Sequence, residues 1–153
     1  MKTTQKYGEK ADIALSMWVK LARATDTVAI LSGRDITRYG LTIPQFGILE
    51  TLGHLGPMKI CEIGKKKLMT GGNMTVVIDN LEKLGLVERV RSKDDRRATL
   101  IQLTAKGRMK FDEIFVQHAR CVEELVWSAL DRSEIDQLAG LLRKLGTALK
   151  DRI

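Results

Sequence analysis

The feature that most constrains this chain is a change of hydrophobic period between residues 70 and 104. Across TGGNMTVVIDNLEKLG, Val77, Ile78, Leu81 and Leu84 fall on one face at helical spacing. Immediately afterwards the step becomes two. Leu86, Glu88 and Val90 oppose Val87, Arg89 and Arg91, and Thr99, Ile101 and Leu103 alternate with Leu100, Gln102 and Thr104. Thr70 is placed to cap the helix, and Gly85 to end it as a C′ glycine. Between the two strands lies RSKDDRRA, a polar hairpin tip. The chain is committed here to a helix followed at once by an antiparallel hairpin.

Helices surround this junction. Residues 9 to about 34 contain almost no breaker, and Ile13, Met17, Leu21 and Val28 recur at helical spacing, with Trp18, Ile30 and Leu31 widening the stripe. A long helix is predicted, broken in the region 33–40. Thr42 caps a second helix with Pro44 in its first turn; it carries Phe46, Leu49 and Leu52 and stops at 53–56, before Pro57. Residues 59–69 form a short helix with Ile60, Ile63 and Leu68 inward. Thr104 to Gly107 opens a second long helix with Phe111, Ile114, Phe115, Val122, Leu125, Val126 and Leu130 as its buried stripe. Asp131 or Ser133 caps the last helix, Ser133 being favoured by Glu134 and Asp136 in the turn after it. Ile135, Leu138, Leu141, Leu142, Leu145 and Leu149 stripe that helix. The expected fold is mainly α (α+β), a winged helix-turn-helix with long N- and C-terminal helices.

Composition narrows the function classes. At 153 residues, 44% of them hydrophobic and two of them Pro, the chain can bury a core and is neither disordered nor fibrous. No run approaches the ~20 apolar residues of a membrane-spanning helix. The first ten residues, MKTTQKYGEK, lack the apolar core of a secretory signal, and Cys61 and Cys121 make no disulfide framework, so a cytoplasmic protein is expected. No P-loop, GxSxG, HExxH or GxGxxG motif occurs, and the two His and two Cys are too scattered for zinc. Neither catalysis nor a metal nor a cofactor is expected.

The net charge of +7 is concentrated. Residues 59–107 carry 11 basic and 6 acidic side chains, whereas residues 108–153 carry 8 of each. A solvated face accounts for such a cluster, and so does a footprint for phosphates. Its placement on a turn, a helix start and a hairpin tip favours the second. The second helix of a helix-turn-helix reads bases from its N-terminal residues, here Thr70, Gly71, Gly72, Asn73 and Thr75. Asn bonds bidentately to adenine and Thr touches a thymine methyl, while the two glycines leave amides bare for phosphate. Thr70 and Asn73 serve equally as plain caps. Lys65, Lys66 and Lys67 precede the turn as phosphate contacts. The wing supplies Arg91, Lys93, Asp95, Arg96 and Arg97, an Arg there being suited to the electronegative minor groove and an Asp two residues before it to holding its guanidinium.

Thr75, Ile78, Leu81, Gly85-Leu86-Val87, Asp95-Arg96-Arg97 and Leu103-Thr104-Ala105-Lys106-Gly107 resemble the MarR (multiple antibiotic resistance regulator) family. Its pattern is a recognition helix ending L-x-x-x-G-L-[VI], a wing with D-x-R, and L-T-x-x-G opening the next helix. The flanking long helices extend the resemblance over almost the whole chain. It implies a homodimer that binds a pseudo-palindromic operator, usually as a repressor relieved by a small aromatic or phenolic ligand or by oxidation. Arg97 would be the minor-groove arginine, positioned by Asp95. A single domain, 1–153, is then expected, with the winged-helix lobe at 42–103 and dimerisation helices at 1–38 and 104–153. The leucine stripe of the last helix, more than a short surface helix needs, points to a dimer seam by itself.

Met17, Trp18, Phe46, His54, Met58, Phe111, Phe115 and His118 are candidates to line an effector pocket, although plain core explains most of them. His54 and His118 could bond a phenol or carboxylate. Peroxide-sensing members of the family use a cysteine near the start of the first helix, which this chain lacks. Cys61, with three lysines nearby, and Cys121 are expected to be small buried residues, thiol sensing being the alternative. A rival from another class is a helical interaction module whose basic hairpin binds acidic proteins.

Overall fold

The structure is a computed structural model and describes residues 6–67, 71–92 and 98–150. Among the described residues, six helices and a three-stranded antiparallel sheet follow the order α1 (Glu9–Arg38), α2 (Ile43–Leu55), β1 (Met58–Lys59), α3 (Ile60–Lys67), α4 (Gly71–Lys83), β2 (Val87–Arg91), β3 (Thr99–Leu103), α5 (Ala105–Trp127) and α6 (Arg132–Leu149). This is the expected mainly helical winged architecture. The chain divides into two compact units, Met1–His118 and Ala119–Ile153.

The first unit holds the core. Ile48, Leu49 and Leu52 of α2, Ile63 of α3, Met74, Ile78 and Leu81 of α4, and Ile101 of β3 are almost wholly buried in one cluster. Leu86 and Val87 close it from the α4–β2 turn, and Ile114 from α5. The α2 start follows its sequence signals: Gln45 N–H donates to Thr42 Oγ1 at 3.3 Å, and Thr42 N–H donates to Gln45 Oε1 at 2.8 Å. Gly56, at φ 79°, ends it.

The sheet runs β1-β3-β2. Val87 faces Leu103, Arg89 faces Ile101 and Arg91 faces Thr99, so the hairpin register is continuous to the base of its tip. Gln102 Nε2 donates to Glu88 Oε1 at 2.8 Å across the strands. Strand β1 was not expected. Met58 and Lys59 pair with Ile101 and Leu100, so Lys59 belongs to the sheet and α3 begins one residue later than predicted. Two residues are too few to show an alternation. Lys59 N–H donates to Glu62 in the first turn of α3 at 2.9 Å, joining strand to helix.

Helix α1 ends within the expected region 33–40, running to Arg38 with Gly40 at φ 75° beyond it, and two further expectations are corrected. Gly33 is buried in the helix because a Cβ there would lie 2.7 Å from Ile43 Cδ1. Leu84 is exposed rather than inward, because its N–H already closes the last turn onto Asn80 and the chain is unwinding toward Gly85. The cap of α6 is Asp131, not Ser133: Glu134 N–H donates to Asp131 Oδ1 and Asp131 N–H donates to Glu134 Oε2, both at 2.9 Å. Glu134 sits three residues after Asp131, the spacing that reciprocal capping requires.

The apolar stripes of the long helices are largely uncovered. In α1, Ile13, Met17, Trp18, Val28, Ile30 and Leu31 are exposed, and only Ser32, Gly33 and Ile36 are buried. In the second unit α6 has no buried residue; Leu138, Leu141, Leu142, Leu145 and Leu149 are all exposed. Of the stripe predicted on α5, Phe111 and Ile114 are buried, whereas Phe115, Val122, Leu125 and Val126 are half-buried, as is Leu130 beyond its end.

Candidate nucleic-acid interface

Helix α4 divides cleanly. Met74, Ile78 and Leu81 face the core, and Val77 packs at its edge. Gly72, Asn73, Thr75, Val76, Asn80 and Lys83 are exposed. Asn73 and Thr75, expected to read bases, are thus presented outward, one on each side of a buried anchor. Gly71 opens the helix. Thr70 lies outside the described residues, as do Lys93, Asp95, Arg96 and Arg97 at the hairpin tip. Arg91, the last wing residue before the tip, is exposed at the end of β2.

Of the three lysines before the turn, Lys65 and Lys66 are exposed. Lys67 is not: its ammonium is bound to Glu50 of α2 at 2.9 Å, with both side chains about 30% exposed. Lys67 therefore braces α3 against α2, and the lysines with free solvent access are the first two.

Sequence reasoning missed the residue that fixes α4 against the wing. Arg89 of β2 falls on the Val87 face of the hairpin, the side that packs on α4. Its Nη2 donates to Asp79 at 2.5 Å and its Nη1 to Glu82, both on α4. The guanidinium pKa is raised, first by the hydrogen bond it donates to Asp79, against the cost of burial and with the charges of both carboxylates adding attraction. A fork on two carboxylates of one helix fixes rotation as well as distance. The available signal was the parity of Arg89: a cation on an inward-facing strand position requires partners.

The other end of the hairpin is equally determined. Thr104 Oγ1 accepts from Gly107 N–H at 3.0 Å, capping α5, and donates to Gly85 O at 2.7 Å. Lys106 Nζ donates to Leu84 O at 2.8 Å. A Cβ on Gly107 would lie 1.8 Å from Leu86 O, so only glycine permits this approach. The run Leu103-Thr104-Ala105-Lys106-Gly107 is thus a clasp joining the end of α4 to the start of α5.

Five of the eight pocket candidates come together within the first unit. His54 packs on Phe111 and Phe115, with ring centroids 5.2 and 4.4 Å away, and Phe46 lies 4.9 Å from His118. Arg108 lies over Phe111 and donates to Gly53 O at 3.0 Å. Gly53 has no room for a Cβ, which would touch the Phe111 ring at 2.6 Å. His118 Nδ1 is buried with no hydrogen-bond partner among the described residues. Met58 is buried in the winged-helix core, and Met17 and Trp18 are exposed on α1; none of these three is among the ring contacts. Cys61 is exposed and Cys121 half-buried, so neither is the buried residue expected. The short α3 turns only Ile63 fully inward, which leaves Cys61 at the surface.

Comparison with known proteins places this arrangement. The family model described as the MarR family matches residues 41–99, the span from just before the α2 cap to the first residue of β3. The uncharacterized HTH-type transcriptional regulator YkoM of Bacillus subtilis is 36% identical over 90% of this chain and 89% of its own. The HTH-type transcriptional regulator MhqR of the same organism is 33% identical over 90% of this chain and 94% of its own. Among solved structures, Bordetella bronchiseptica BpsR, whose DNA binding is regulated by 6-hydroxynicotinic acid, superimposes with a TM-score of 0.75 at 25% identity, covering 86% of this chain and 98% of that one. The rival reading as a non-DNA interaction module gives way, and the chain belongs to the MarR family: it is a DNA-binding transcription regulator and not an enzyme.

Proposed function

We propose that the protein is a dimeric repressor that binds a pseudo-palindromic operator and is released by a small aromatic or phenolic ligand. The observation that carries this reading is the outward face of α4, with Asn73 and Thr75 exposed and the helix held to the wing by Arg89. In it, residues 42–103 form the DNA-binding lobe and the helices of 1–38 and 104–153 the dimer lobe. Thr70, Gly71, Gly72, Asn73 and Thr75 meet base edges and phosphates. Lys65 and Lys66 meet the backbone. Arg91, Lys93, Asp95, Arg96 and Arg97 form the wing contact, with Arg97 in the minor groove. The uncovered leucines of α6 and the apolar side of α1 support a two-fold partner, since apolar surface on this scale marks an interface.

The aromatic cluster supports the effector reading. A buried imidazole nitrogen without a partner costs about 1–3 kcal/mol, which a ligand hydroxyl or carboxylate would recover. His118 offers such a nitrogen, and Phe46 and Phe115 offer faces for a ring. The hydroxylated aromatic acid that regulates BpsR is of this class. The exposure of Cys61 favours a second reading, release by thiol oxidation.

The test is DNA binding to the region beside the protein's own gene, followed by addition of phenols, quinones and aromatic acids. The expected result is release by one class, lost in His118→Ala and retained in Cys61→Ser. Release by oxidant alone, lost in Cys61→Ser, supports the second reading. Indifference to every compound and to oxidant contradicts both.

A further inference from the structure

We infer that Val76 is a specificity-determining contact, its isopropyl group packing against the C5 methyl of one thymine in each half of the recognised site. The inference rests on the reading of α4 as the helix that enters the major groove. Gly72, Val76, Asn80 and Lys83 follow one another at three- and four-residue steps and so line one side of α4. Met74, Ile78 and Leu81 line the opposite side and are completely buried. Val76 lies two residues from both Met74 and Ile78, which puts it at the middle of the outward face, and it is 58% exposed.

The choice of residue is unfavourable for a helix that meets only water. A β-branched side chain loses χ1 freedom in a helix and here leaves two methyls in solvent. Its polar neighbours Asn73 and Asn80 show what this face otherwise carries. A side chain on a helix leans toward the N-terminus, so Val76 extends over Gly72. A Cβ at Gly72 would meet nothing within 4 Å among the described residues, so none of them crowds that side of Val76. Gly72 itself puts no side chain between a flat surface and the Val76 methyls.

The chemistry of the groove selects the partner. Valine has neither donor nor acceptor, and the apolar feature that a base pair presents in the major groove is the thymine methyl. Against guanine, adenine or cytosine at that position, Val76 would cover base-edge donors and acceptors that it cannot satisfy. The contact thus favours thymine twice, by burying two methyls together and by penalising the alternatives.

The test uses duplexes that the protein itself selects from a random-sequence pool, with each thymine replaced in turn by deoxyuridine, which lacks only the methyl. For the unmodified chain, one thymine in each half-site is expected to lose about fourfold in affinity on replacement, the value of one buried methyl-sized group. Val76→Ala is expected to bind the parent duplex more weakly by a similar factor and to be indifferent to that one replacement, with its affinity for random duplex unchanged. Alanine on an exposed helical position favours the helix, so the variant folds. If every replacement costs the two proteins equally, or costs neither anything, while one sequence is still selected, the Val76 contact is overturned and the reading of α4 stands. If no sequence is selected, both fall.

Discussion

Gly107 and Arg89 fix the geometry of the proposed reading surface without belonging to it. Gly107 allows the start of α5 to touch the carbonyl of Leu86. Gly107→Ala forces a backbone to move, and we expect a loss of about 2–4 kcal/mol in chemical denaturation. A change below about 0.5 kcal/mol would show that the clasp is loose. Arg89→Met keeps the length of the side chain but removes the fork on Asp79 and Glu82. Because these groups are partly exposed, the stability change should be small, about 1 kcal/mol or less. Operator affinity should fall about tenfold, equivalent to about 1.4 kcal/mol, since α4 can then rotate against the wing. Titration by fluorescence anisotropy measures it; unchanged affinity removes Arg89 from the account. The run Leu103–Gly107 was legible as the opening of a helix because its residues are adjacent, whereas its contacts with Leu84, Gly85 and Leu86 were not. The Arg89 fork was not, because its carboxylates lie seven and ten positions away on another element.

Helices and strands were legible where several residues shared one period, and illegible where one or two residues decided. The Thr42 cap of α2, the stop at Gly85 and the two alternating strands of the hairpin followed from residue type and spacing. Strand β1 is two residues long and shows itself only through pairing with β3. Within the expected break at 33–40, Gly33 still belongs to the helix, where it packs closely against Ile43, and the stop falls at Arg38. At α6 the D-x-x-E spacing marks Asp131, whereas the acidic first turn by itself is equally compatible with Ser133. The corrected assignment makes an element-scale prediction. Asp131→Ala should cost about 1 kcal/mol of stability, whereas Ser133→Ala should change it by less than about 0.5. Thermal denaturation of the two variants followed by circular dichroism decides between the caps, and an equal effect from both would undo the assignment.

At the scale of the whole molecule, the sequence separated a basic middle from a neutral, leucine-striped end, and the structure gives each a surface. The basic segment holds α3, α4 and the hairpin. The striped end holds α6, none of whose leucines is buried in the single chain. What covers them was not legible as a set of contacts, because a period marks an apolar face without naming its partner. The dimer reading predicts that Leu141→Glu with Leu145→Glu converts a two-fold species to a monomer in sedimentation at micromolar concentration, and that the same variant loses operator affinity far more than helix content. A monomeric unmodified chain would contradict it. The most direct test of the central claim, that α4 reads duplex DNA in a two-fold assembly, is selection of bound duplexes from a random pool with the salt dependence of the winner. The account predicts an inverted repeat with half-site centres about one helical turn, ~34 Å, apart, bound with affinity that falls steeply as salt rises. Recovery of no common sequence, or of one without two-fold symmetry, would contradict it.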